Sequence, residues 1–166
     1  MKNEGKEFEK MFKDSIPEYV YYQRIKDSAG AWNNGDNASV RFTPQNNYDA
    51  FMFYSPLFFA LELKSTKGTS FSFTGNTPMI KQHQIKGLLD ASRFDNVVAG
   101  FIFNVRNVNA TYFMSIVHFD NYINNTTKKS INENDIIQNN GLLIDSKLVR
   151  VKYKYDIGKF IDYFLE

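Results

Sequence analysis

Apolar positions are densest between Tyr48 and Lys64, YDAFMFYSPLFFALELK, where two greasy runs flank Ser55-Pro56. Runs this continuous in aromatic and aliphatic residues predict a hairpin whose strands are buried on both faces. Three charges interrupt the stretch: Asp49 near the start of the first strand, then Glu62 and Lys64 in the second. Side chains alternate across a strand, so Glu62 and Lys64 share one face while Leu61 and Leu63 take the other. Pairing of the two strands brings Asp49 near Glu62. Ionisable groups are costly in such a sheet unless they are paired or bind a metal. Asp49 followed by Glu62-X-Lys64 is what a metal-dependent phosphodiesterase needs: two carboxylates for a divalent cation, and an amine for charge or proton handling.

Elsewhere the periodicity alternates between helical and extended. Phe8, Met11 and Phe12 stripe a predicted helix over Asn3–Asp14, ended by Pro17, with Glu9 at the border of its apolar face. By itself Glu9 reads as a solvated charge. Tyr19–Ile25 reads as a first strand, Lys26–Asn37 as a loop carrying Trp32, and Ser39–Phe42 as a short strand. Arg41 in that strand is either a phosphate contact or a surface arginine. Ser65–Asn76 is predicted to be an ordered loop or edge strand, and Met79–Ser92 an amphipathic helix. Gln84 interrupts the apolar face of that helix, and a buried glutamine needs partners, which a metal-bound water or a phosphate would supply. His83 beside it reads as a surface or backbone-bonded residue.

Val97–Asn104 and Thr111–Val117 are predicted strands of the central sheet. Short helices follow over His118–Asn125 and Asn132–Asn140. Lys147–Tyr155 reads as a single strand with Arg150, Lys152 and Lys154 on one face, either a phosphate-tracking ridge or the lysines that keep an edge strand from aggregating. Asp156 is predicted to cap a last helix, Ile157–Leu165.

At 166 residues and 43% apolar composition the chain is expected to form one domain, with an α/β fold: a mixed central sheet flanked by helices and the site at one sheet edge. No stretch is long and apolar enough for a membrane span, and the charged N-terminus lacks the apolar core of a signal peptide. The absence of cysteine excludes disulfides, thiolate zinc sites and a cysteine nucleophile, and allows a reducing, cytoplasmic location. A net charge of +2 gives little direct support for nucleic-acid binding, so the distribution of the cations matters more. The phosphate-cradling loop of nucleotide hydrolases, the dinucleotide fingerprint and the serine-hydrolase elbow are all missing.

The order GKEFE, YDA, ELK, TSFSF and HQI, from about Gly5 to Val117, resembles the RecU-type Holliday junction resolvases of the PD-(D/E)XK nuclease superfamily. The resemblance implies a restriction-endonuclease-like core and a homodimeric, Mg²⁺-dependent endonuclease, with Mn²⁺ as a substitute, that nicks branched double-stranded DNA symmetrically at four-way junctions. It implies that Asp49 and Glu62 bind the metal, that Lys64 orients or activates the attacking water, and that Gln84 lies near the metal. Glu9 matches the first-helix glutamate of related resolvases. Arg41, Lys67 and Lys81 are the candidate DNA contacts. Two features depart from the pattern. Asn46-Asn47-Tyr48 stand where the family has a pair of threonines, and only Lys26–Asn47 is available for the stalk that projects into the junction centre. The Asn-rich chain suggests a phage or low-GC bacterial version. Two other readings stay open: a restriction-like or end-processing nuclease of the same superfamily, and a non-catalytic DNA-binding accessory protein.

Overall fold

The computed structural model describes residues 4–25 and 46–166. Trp32, Arg41 and the predicted Ser39–Phe42 strand lie outside those residues, as does nearly all of the segment available for a stalk.

The chain opens with helix α1 (Glu4–Asp14), whose Phe8 and Phe12, spaced one turn apart, are fully buried. Strand β1 (Tyr21–Arg24) follows, then the predicted hairpin, β2 (Ala50–Tyr54) and β3 (Leu57–Thr66), turning at a cis Ser55–Pro56 bond. Next come β4 (Ser70–Ser72), α2 (Gln82–Ala91), β5 (Val97–Val105) and β6 (Ala110–Ser115). The C-terminal part comprises α3 (Ile116–Asn125), β7 (Ser130–Asn132), α4 (Glu133–Gln138), β8 (Leu142–Leu143), β9 (Ser146–Val149), β10 (Lys152–Tyr155) and α5 (Ile157–Asp162).

Six strands form the main sheet in the order β1-β2-β3-β5-β6-β8. Only β3 and β5 run parallel, as expected where a crossover carrying a helix joins two strands; every other pair is antiparallel. The expected α/β fold with a mixed sheet between helices is therefore the observed one.

Alternation along β3 builds the two layers. Leu57, Phe59, Leu61 and Leu63 enter one core with Phe8 and Phe12 of α1 and Phe160 of α5. Ala60 enters the other with Phe101 and Phe103 of β5, Ile85 and Leu88 of α2, and Phe119 of α3. Ring packing is dense there: the Phe101 and Phe119 centroids are 4.7 Å apart, as are those of Phe71 and Phe103.

Several expectations need correction. Of the two hairpin strands, only β3 is buried on both faces; Phe53 of β2 is 45% exposed. The strand predicted over Thr111–Val117 stops at Ser115, whose hydroxyl accepts the His118 N–H and starts α3 two residues earlier than the apolar pattern suggests. Lys147–Tyr155 is a hairpin, β9 paired with β10, and not one strand. Arg150 occupies its turn at φ 59°, so it does not continue the row of Lys152 and Lys154. Asp156 does cap α5, accepting the Lys159 N–H at 3.0 Å.

Candidate active site

Asp49, Glu62, Lys64 and Gln84 converge on the second half of β3, each held by a different local device. β3 is third of six strands, but its ladder with β2 stops at Leu61, so Glu62 and Lys64 lie where β3 is paired as a strand with β5 alone. The register Ala50↔Leu61 places Asp49 one step further along, across from Glu62. There the backbone ladder gives way to a side chain: the Asp49 N–H donates to the Leu61 carbonyl at 3.1 Å, and the Leu63 N–H donates to Asp49 Oδ2 at 2.9 Å. A buried amide that would otherwise be orphaned thus fixes one oxygen of the Asp49 carboxylate.

Glu62 is 2% exposed. Lys64 Nζ lies 2.9 Å from Glu62 Oε1, and the Gln84 amide nitrogen donates to the same oxygen. Burial, with the Asp49 carboxylate alongside, pushes the Glu62 carboxyl up to about 7, against the pull of Lys64.

Gln84 is aimed by helix capping. It is the third residue of α2, and its Oε1 accepts the Lys81 N–H at 2.9 Å, in the manner of a capping box. With its carbonyl oxygen so engaged, its NH₂ group is left to face Glu62. Its partners are protein groups, where the sequence suggested a water or a phosphate. The helix itself is set close to the strand entry by Gly87: a Cβ there would meet Asn47 Cβ at 2.3 Å and its Cα at 2.9 Å. Gly87→Ala is therefore expected to push α2 away from Asn47 and to cost about 1–3 kcal/mol in overpacking. Denaturant unfolding would measure that loss, and an unchanged midpoint would contradict the close approach.

The remaining candidates lie around this centre. Glu9 pairs with Arg24 of β1 at 2.8 Å. Burial, with the Glu9 and Asp49 carboxylates adding to it, raises the Tyr22 hydroxyl to about 12. Lys81, at the N-cap of α2, and Lys67, beside Glu4, are exposed. Sequence reasoning set His83 aside, yet it sits near Lys64 and Lys81. Partial burial and those two cations hold its imidazole below the usual range. The clue available in the sequence was its place beside Gln84 in the first turn of α2.

Two carboxylates with unequal constraints suit a hard divalent cation that takes oxygen ligands and keeps some of its waters. Among the described residues no group of three or more His, Cys, Asp or Glu side chains is arranged to hold a metal, so from these residues Asp49 and Glu62 are the two carboxylates that would hold one. Among the described residues no helix is long and apolar enough to cross a membrane.

No protein-family model matches the chain. Among solved structures it is similar to Archaeoglobus fulgidus Hjc, a Holliday junction resolvase from an archaeal hyperthermophile, with a TM-score of 0.48 and 16% identity over 75% of this chain and 83% of that one. Among curated sequences it is 32% identical to the SPbeta prophage-derived uncharacterized protein YotM of Bacillus subtilis (strain 168), over 95% of this chain and 84% of YotM. Identity at that level across nearly the whole of both chains places the protein in the same family as YotM.

Proposed function

We propose that this protein is a divalent-metal-dependent DNA endonuclease acting at the Asp49–Glu62–Lys64 centre, with four-way junctions as its preferred substrate. The observation that carries the reading is the convergence of a buried glutamate, a half-buried aspartate and a lysine where β3 runs on past its pairing with β2. A buried Glu–Lys pair is no asset to stability in itself, since an apolar pair of similar volume often does as well. The charges are better explained by chemistry. The order of the motif residues along the chain, and its resemblance to the RecU pattern, supports the same reading.

Asp49 and Glu62 would hold the cation, Mg²⁺ or Mn²⁺, which when bound supplies a nucleophile at neutral pH and stabilises charge on the phosphate. Lys64, held on Glu62, would orient the attacking water and offset developing negative charge. Gln84 fixes the Glu62 carboxylate and so limits where the cation can sit. Glu9, neutralised by Arg24, borders the site on the α1 side. Lys67, Lys81 and Arg41 are proposed to meet the DNA backbone. A homodimer would place two such sites on opposed strands of a junction, as paired nicking requires.

The test is cleavage of an immobile four-way junction and of the matching linear duplex, in Mg²⁺ and in EDTA. Paired nicks on the junction alone, abolished by EDTA, are expected. Equal cutting of both substrates would remove the junction preference and leave a more general nuclease. Binding without cleavage in either metal would replace the enzyme with an accessory DNA-binding protein.

The raised Glu62 carboxyl gives a pH signature in metal-free protein. Its folded value of about 7 lies above the ordinary 4.5, so the native state holds this proton more tightly than the unfolded chain does. The stability it contributes is fully present below about pH 4.5 and is lost as pH rises through 7, about 3 kcal/mol in all. In EDTA, Glu62→Gln should therefore gain on the wild type between pH 5 and 8 in thermal unfolding. A difference that does not vary with pH would contradict the shift.

A further inference from the structure

We infer that the β9–β10 hairpin is a second contact surface for DNA, gripping the backbone of an arm that leaves the catalytic centre; this rests on the nuclease reading above. Its sequence, SKLVRVKYK from Ser146 to Lys154, holds four cations and no acid, so the remainder of a chain of net charge +2 is net −2. Lys147, Arg150, Lys152 and Lys154 are all exposed, and none forms an ion pair among the described residues.

The register concentrates them. Lys154 pairs directly with Lys147 and Lys152 with Val149, which sets three amines on one outward face. The opposite face is anchored: the Tyr155 ring lies 5.9 Å from Phe8 and 6.0 Å from Phe12 of α1. Like charges directly opposite in an antiparallel pair are destabilising, so Lys147 and Lys154 together are a cost that folding alone does not explain.

The ribbon also points the right way. Tyr153 and Tyr155 line a cleft with Glu4, Glu7, Asn104 and Arg106, at the start of α1 and the far end of β5. β5 runs parallel to β3 with Phe103 beside Lys64, so the Arg150 turn, just ahead of Tyr153, lies at the end of the sheet that carries Lys64. A polyanion is the matching partner, and an exposed two-stranded ribbon has the width that the DNA major groove admits. Neutralised phosphates release counterions, which gives such a contact a measurable salt dependence.

The experiment is junction binding in EDTA between 50 and 200 mM salt, comparing the wild type with the variant carrying Lys147→Ala, Arg150→Ala, Lys152→Ala and Lys154→Ala. If all four cations meet phosphates, the slope of log affinity against log salt should become shallower by about 3–4, at about 0.9 per contact. The milder Lys147→Ala, Lys154→Ala double variant should melt no lower than the wild type and reduce the slope by about 2. Cleavage in Mg²⁺ at saturating protein should survive in both. Unchanged slopes with cleavage intact would overturn the hairpin proposal alone, as would variants that aggregate but bind normally, which would mark the lysines as guards of an exposed edge. A wild type that cuts nothing yet shows the hairpin-dependent slope would sink the nuclease reading and leave the hairpin contact standing.

Discussion

Glu62→Gln is expected to lower Mg²⁺-dependent DNA cleavage by on the order of 10³-fold while the protein stays folded and still binds DNA. The magnitude follows from removing one of the two carboxylates proposed to hold the cation, whose charge stabilisation would be worth several kcal/mol at about 1.4 kcal/mol per tenfold in rate. Folding should survive because glutamine fills the same volume and relieves a buried acid of its charge. The amide can accept from Lys64 or from Gln84, but it cannot supply the negative charge a divalent ion needs. Asp49→Asn should behave similarly for cleavage. There the amide can still accept the Leu63 N–H, so the strand ends keep their geometry. Cleavage in either variant within tenfold of the wild type would mean that the metal, or the chemistry, lies elsewhere.

Lys64→Met is expected to have the second-largest effect, on stability and activity together. The lysine side chain is 14% exposed and its partner 2%, so the substitution strands a buried carboxylate beside a second one. Breaking such a pair from one side costs about 3–5 kcal/mol. The loss should be largest above pH 7 and smaller in acid, where Glu62 takes up a proton. Adding Glu62→Gln to Lys64→Met should recover most of the stability and none of the cleavage. Chemical denaturation of the three variants at pH 6 and 8 measures this. If the double variant is no more stable than Lys64→Met alone, the two side chains are not coupled as the 2.9 Å contact requires.

The hairpin and the pairing of Asp49 with Glu62 were legible because period-two alternation in a long apolar run fixes both register and face. Strand order was not, since no local pattern encodes that β5 joins β3 in parallel while β6 and β8 extend the sheet. Nor was the partner of Gln84. The sequence marks a polar residue on an apolar face, but its orientation depends on the Lys81 N–H and on how closely Gly87 lets α2 approach Asn47. The split of Lys147–Tyr155 at Arg150 also escaped, because the turn uses a left-handed arginine in place of the glycine or asparagine that usually announces one. His83 and Tyr22 escaped for a related reason. Each stands in the field of charges that the fold brings near, Lys64 beside His83 and Glu9 and Asp49 beside Tyr22.

Calorimetric titration of Mn²⁺ into the metal-free wild type, with Glu62→Gln and Asp49→Asn alongside, measures the cation site without assuming any substrate. Saturable binding to the wild type is expected, tightening as pH rises through about 7 and reduced at least tenfold in both variants. Binding that is absent from the wild type, or equally strong in all three proteins, would contradict a catalytic cation held by Asp49 and Glu62.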